Sequence, residues 1–210
     1  MKLINILIVS LLILTSSHTA NAQFANSKKK GKDLMVAVGG GVSVADAGSY
    51  SLMGGNLTFE LRKPIVLFAQ NYSLSVNLLG SAIMGNASQT GQDSKFDFIP
   101  TGIISLNLNA YSQATKVAKN TFGGFLGVGL MIMPSKTIDK RNLDGTYSSI
   151  KTGVMGPVFL FGPRFRVGKS FLDLRVYGGT AFGGDTEMVN AGLNLMFTFG
   201  MGKTKRHGMQ

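Results

Sequence analysis

Val189, Ala191, Leu193, Leu195, Phe197 and Phe199 alternate with Asn190, Gly192, Asn194, Met196, Thr198 and Gly200 over twelve consecutive positions. Only a strand sends two such sets to opposite faces, since a helix of period 3.6 would scatter both around its circumference. The pattern recurs. Leu57, Phe59 and Leu61 alternate with Thr58, Glu60 and Arg62, and Tyr72, Leu74, Val76 and Leu78 with Ser73, Ser75 and Asn77. Ile104, Leu106 and Leu108 alternate with Ser105, Asn107 and Asn109, and Leu172, Leu174 and Val176 with Asp173, Arg175 and Tyr177. Noisier, glycine-rich versions occupy 36–44, 124–132 and 154–165, the last interrupted by Pro157 and Pro163, which do not suit a central strand.

Eight strands follow, over 34–44, 52–62, 70–84, 96–110, 121–133, 152–166, 170–181 and 188–200, with no helical period of useful length between them. The connections at 46–51, 85–95, 134–149 and 182–187 fall on one side. Those at Arg62-Lys63-Pro64, 111–120 and the tight turn 167–170 fall on the other, with both termini. An even number of antiparallel strands joined in this way closes into an all-β up-and-down barrel and leaves no edge.

Which face is wet follows from the kind of polar residue. A soluble, lipocalin-like carrier has the same alternation, but its water-facing wall carries Lys, Glu, Asp and Arg. Here the polar face is mainly Asn, Ser, Thr and Gly, and charged residues make up 15% of the chain against about 25% in a soluble domain. Small neutral groups fill a narrow interior, so the Leu, Val, Ile and Phe face is the one expected to meet hydrocarbon, where a charge at the midplane costs about 2–4 kcal/mol. A closed barrel is also the strand architecture that leaves no backbone polar group unpaired in lipid. Aromatic residues cluster toward the strand ends, Tyr72, Tyr111, Phe122, Phe171, Phe197 and Phe199 at the terminus end and Tyr50, Phe96, Phe98 and Phe182 at the loop end, as in two interfacial girdles.

The amino-terminal segment reads as a cleavable secretory signal over 1–22: Lys2, an apolar stretch from Leu3 to Leu14, and Ala20-Asn21-Ala22 as a small-x-small cleavage site. A basic segment, 23–33, precedes the barrel at 34–200, and a basic tail, 201–210, follows it. The chain has no cysteine, which excludes a disulfide scaffold and a thiolate metal site.

These strands resemble the small eight-stranded outer-membrane β-barrels, the class of the OmpA membrane domain, OmpX and OmpW. The likeness lies in pattern and length and covers 23–200. It implies the bacterial outer membrane as location, outer-membrane lipid as surroundings and the barrel-assembly machinery as a partner. Members of the class end on an aromatic residue that this machinery recognises. Here Phe199 is followed by eleven residues, 200–210, so the resemblance leaves two alternatives: the signal of the class is not kept in that form, or it lies inside the final strand.

Two groups of residues are candidates for a functional site. Glu60, Arg62, Asp97, Asp173 and Arg175 are expected to form a charge network in the lumen, since buried carboxylates pair with buried arginines. Lys63, Lys116, Lys119, Arg164, Arg166, Lys169, Lys203, Lys205 and Arg206 gather at the terminus side as a basic periplasmic rim. That rim suits an anionic leaflet, or an acidic periplasmic partner or envelope complex. Nucleic acid is not expected, because an exported chain does not meet it and the basic runs lack interleaved aromatics.

Catalysis is not expected either. His18 lies in the signal and His207 in the tail, which leaves no histidine base in the barrel. No metal-ligand spacing occurs, no cofactor is implied, and Gly168-Lys169-Ser170 fails as a phosphate loop because Pro163 stands where glycine is required. The expectation is a non-enzymatic barrel with a structural or interaction role, accessory to a larger envelope complex. The alternatives are a narrow transport barrel for small hydrophobic or ionic solutes and the soluble carrier.

Overall fold

The computed structural model describes residues 34–69, 72–89, 92–111, 121–141, 145–167 and 170–200; the signal, the basic segment up to 33 and the tail lie outside them. Eight strands form a closed barrel: β1 (Met35–Asp46), β2 (Tyr50–Ala69), β3 (Tyr72–Gln89), β4 (Gln92–Tyr111), β5 (Phe122–Ile132), β8 (Met155–Val167), β9 (Ser170–Ala181) and β10 (Met188–Gly200). All neighbours are antiparallel, and β10 returns to pair with β1 from Val189↔Asp46 to Gly200↔Met35. Two further strands, β6 (Thr137–Arg141) and β7 (Tyr147–Lys151), form a separate hairpin at the loop end.

The alternation predicts the inward and outward faces. Leu193, Leu195 and Phe197 are 42–44% exposed on the outer wall, whereas Asn190 and Asn194 are fully buried inside. An apolar exterior is the reverse of what a water-soluble carrier needs, and the fold is that of a transmembrane barrel.

Three connections differ from expectation. Arg62-Lys63-Pro64 is no turn: β2 continues to Ala69, and bulges at Pro64/Val66 and Leu67/Ala69 take up the proline, as strand irregularities do. The expected loop 85–95 is mostly ladder, because β3 and β4 stay paired up to Gln89↔Gln92. The expected loop 134–149 contains β6 and most of β7. The prolines of β8 are accommodated where pairing lapses. Pro157 precedes the first β8–β9 pair at Val158, and Pro163 sits in a gap between Phe161↔Val176 and Arg164↔Asp173. A residue with no N–H fits such gaps. At the β1–β2 turn, Gly48 has φ 75°, a left-handed conformation that glycine adopts without strain, and its N–H donates to Asp46 Oδ1 at 3.1 Å. Tyr111 closes β4 at φ 58°, its hydroxyl 3.1 Å from that of Tyr72.

The interior differs from expectation as well. Its terminus half is lined by the foreseen Ser, Asn and charged residues. Its loop half is mainly apolar: Leu52, Ile83, Ile99, Ile103, Met131, Met133 and Met188 are buried there around an Asn190–Thr101 hydrogen bond of 3.2 Å, with Ile138 of β6 reaching in from the hairpin. Each large aliphatic side chain so withdrawn from water contributes about 1.5–3 kcal/mol. The mouth is therefore plugged by a small hydrophobic core.

Candidate functional site

Glu60 and Arg62 stand two residues apart on β2 and so face inward together, while Asp173 and Arg175 do the same on β9. Arg62 Nη2 donates to Glu60 Oε2 at 3.2 Å and to Asp173 Oδ2 at 2.8 Å. Arg175 Nη2 donates to Glu60 Oε2 at 2.5 Å and lies 4.0 Å from Asp173 Oδ2. Asn77 of β3 donates to the other Glu60 oxygen. All four charged side chains are at most 2% exposed.

Arg164 belongs here and not on the rim. It pairs with Asp173 across the β8–β9 ladder, its Nε donating to Oδ1 at 2.8 Å, and it is fully buried. Its Nη1 donates to Asn109 Oδ1 on β4 at 3.3 Å. The physical reason is parity: Leu160, Gly162 and Arg164 share the inward face of β8, so closeness to the terminus end does not turn Arg164 outward. Phe125 of β5 lies beneath two of the arginines, with the Arg164 and Arg175 guanidinium carbons each 5.2 Å from its ring centre. Such stacking suits a guanidinium that has lost part of its hydration.

Asp97, in contrast, is not in the network. It sits at the outer mouth, level with Gly85, just beyond Met84 where the outward face of β3 turns to Asn86 and Ser88. There it forms a latch. Lys136, at the foot of the β6–β7 hairpin, donates to its carboxylate, and the Tyr50 hydroxyl donates to the same oxygen at 2.7 Å. Tyr50 accordingly faces inward and is buried, so it forms no part of an outer girdle. Burial pushes the Asp97 carboxyl up, but hydrogen bonds from Lys136, Tyr50 and the Phe98 amide outweigh it and hold the group below the usual carboxylate range. Gln89 Nε2 adds a bond to the Asp139 carbonyl at 3.1 Å, and Lys151 N–H bonds Asp185 Oδ2 at 2.7 Å. The hairpin is thereby tied to β2, β3, β4 and the β9–β10 turn.

Of the remaining residues expected on the rim, Arg166 is exposed one residue before β8 ends, whereas Lys63 is exposed within β2, paired with Val76, six residues before that strand ends. Lys116, Lys119, Lys169, Lys203, Lys205 and Arg206 lie outside the described residues. Among the described residues no cluster of His, Asp and Glu could hold a metal ion.

Between the charges and the plug lies a neutral polar layer. Asn194 Nδ2 donates to Thr58 Oγ1 at 3.0 Å, Asn56 Nδ2 to Asn194 Oδ1 at 2.7 Å, and the Ser43 and Tyr177 hydroxyls are 2.8 Å apart. From the terminus end outward, the lumen is therefore an ion cluster, an amide and hydroxyl layer, and an apolar plug under a latched hairpin. It is cross-braced rather than open.

No family model and no curated protein matches the sequence. Solved structures do match in fold. Neisserial surface protein A (NspA) shares 13% identity over 80% of this chain and 96% of its own, with a TM-score of 0.53. Ail, the attachment invasion locus protein of Yersinia pestis, in complex with the heparin analogue sucrose octasulfate, shares 11% identity over 80% of this chain and 98% of its own, at a TM-score of 0.42. The N-terminal β-barrel domain of Pseudomonas aeruginosa OprF shares 10% over 81% and 100%, at 0.41. The chain has the fold of the small eight-stranded outer-membrane barrels.

Proposed function

We propose that this chain is a non-enzymatic, non-conducting barrel of the bacterial outer membrane with a structural or interaction role, accessory to a larger envelope complex. The observation that carries the reading is the buried cluster of Glu60, Arg62, Arg164, Asp173 and Arg175, which ties β2, β8 and β9 together across the lumen. An eight-stranded barrel has room inside for little more than its own side chains, and these are held by charge-assisted bonds. A partner then meets the outside of the molecule: the latched loop end on one side, and on the other a basic rim that includes the exposed Arg166, with Lys63 exposed six residues inside the end of β2. Acidic surface, whether protein or envelope polymer, is the chemistry that rim fits.

The test is twofold. Purified protein in a planar bilayer should give no steady ion current, and a persistent conductance sinks the reading in favour of a transport barrel. Co-purification from native envelope in mild detergent should recover a companion that is lost when Lys63 and Arg166 are replaced by Gln.

The apolar loop half of the lumen favours one second reading, a carrier of small hydrophobic solutes. It predicts that such solutes bind at the mouth and loosen the β6–β7 hairpin, which the first reading does not.

A further inference from the structure

The outer wall is largely apolar, and it is hollow where β2, β3 and β4 run side by side near Gly80 and Gly102. Register puts Val38, Phe59, Gly80, Gly102 and Ile132 in a single row across β1 to β5. At Gly80 and Gly102 that row loses its side chains, and with Ala82 and Pro100 the two glycines floor a groove of about 840 Å³, walled by Phe59 and Ile132.

The fold does not need glycine at these positions. A Cβ on Gly80 would meet nothing within 4 Å, and one on Gly102 only the Ile132 carbonyl oxygen at 3.9 Å, an ordinary contact. Gly54 and Gly85 differ, since a Cβ there would fall 2.0 and 2.3 Å from a facing carbonyl oxygen. Glycine in a strand interior weakens the strand, so a hollow the backbone does not require points to something that fills it.

A second observation concerns the seam. Pairing between β4 and β5 stops at Gly102↔Ile132, although β4 runs on to Gln92. The groove ends there between Pro100 and Pro134, neither of which has an N–H to extend the ladder. Met133 lines the groove and is also part of the apolar plug, so the hollow is backed by the hydrophobic interior.

We infer that this groove seats one acyl chain of a lipid of the surrounding bilayer, held as a bound lipid in preference to the chains lining the rest of the wall. No Lys, Arg, Asp or Glu lines it, so a headgroup has no place inside. It lies in the hydrocarbon band, between the Leu78 and Ile104 level and the Met84 and Phe98 level, where acyl chains are the medium in contact. A second copy of the chain fits poorly, because a two-fold contact sets the same patch against itself and leaves hollow facing hollow.

The inference rests on the membrane reading, and the experiment separates the two. The full chain is placed in nanodiscs of phosphatidylethanolamine that carry a trace of the same lipid with a diazirine near the end of its acyl chain. After illumination, labelled positions are mapped by mass spectrometry. Label should concentrate on 80–82 and 100–102, roughly tenfold over the outward residues of β8 to β10, as for a site preferring its chain by one decade. Gly80→Leu with Gly102→Leu should abolish that excess. If the double variant does not fold, Ala82→Leu, filling the same hollow from one strand, should do the same. Even labelling of the wall, or labelling unchanged in a folded filled variant, would overturn the site. Failure of the wild-type chain to enter nanodiscs would overturn the membrane reading and the site with it.

Discussion

Arg164 and Asp173 face one another across the last fully buried pair of the β8–β9 hairpin, Nε to Oδ1 at 2.8 Å, both with no exposed side-chain surface. Asp173 also receives Arg62 through its other oxygen. One carboxylate thus serves two guanidinium groups on different strands, and the two partners are not equivalent. Removing one partner of a buried pair costs about 3–5 kcal/mol, because the other charge is left without compensation. Asp173→Asn should reach that range, since Arg164 loses its carboxylate and Arg62 is left with Glu60 alone. Arg164→Gln should cost less, since Asp173 keeps Arg62. Urea unfolding in detergent micelles, followed by heat-modifiable gel mobility, gives the order; equal losses would show that the two arginines do not share the carboxylate.

How far this cluster was legible in the sequence depends on which strand is read. Glu60 with Arg62, and Asp173 with Arg175, were plain from alternation. Arg164 was not, because Pro157 and Pro163 break the pattern of β8. Yet the tight turn 167–170 was itself recognisable, and a hairpin turn fixes register: Val167↔Ser170 counts back to Arg164↔Asp173. The apolar plug was hidden for another reason. Leu78 and Leu79, or Ile103 and Ile104, are adjacent apolar residues that face lipid and core in turn, so the alternation that marks a face disappears where both faces are dry. The β6–β7 hairpin, with strands of five residues each, is too short to carry a period.

The outer wall should reject charge. Leu195 lies on the lipid-facing side of β10, paired with Gly40 and Leu174. Leu195→Arg should cost about 2–4 kcal/mol for a position near the midplane and slow insertion into vesicles. Glu187→Arg, exposed beyond the end of the same strand, should insert like the parent. Comparable insertion of the two variants would mean that the wall does not meet hydrocarbon at Leu195.

The latch at the mouth should be sensitive to acid only at low pH. The folded Asp97 carboxyl sits below its ordinary value, so its contribution is in full force above the ordinary carboxylate range, about pH 4, and is lost as pH falls through the depressed folded value. As the site is partly exposed to water, the pair is worth less than about 1 kcal/mol. The readout is therefore local: amide hydrogen exchange of 137–151 should be unchanged between pH 7 and 5, after correction for intrinsic rates, and accelerate below 4. Asp97→Asn should show the accelerated rate at neutral pH, with the barrel strands unaffected.

Two layers in series fill the lumen among the described residues, and Phe125, part of the apolar cluster and stacked under Arg164 and Arg175, joins them. Ile138 belongs to the plug, fully enclosed with Ile83, Ile99, Ile103 and Met133, while the charged cluster lies on the far side of the Asn56, Thr58 and Asn194 layer. Ile138→Asn puts an amide in an apolar site, where a polar group without a partner costs about 1–3 kcal/mol by protein mutational data, so the hairpin should lift away from the mouth. Conductance should nevertheless stay at the parent level, because ions that pass the mouth still meet Arg62, Arg164 and Arg175 locked onto Glu60 and Asp173. Protease cleavage at 137–151 without any current is the expected pair of results for Ile138→Asn. A steady current from that single substitution would show that the hairpin alone seals the barrel and that the ion cluster is permeable.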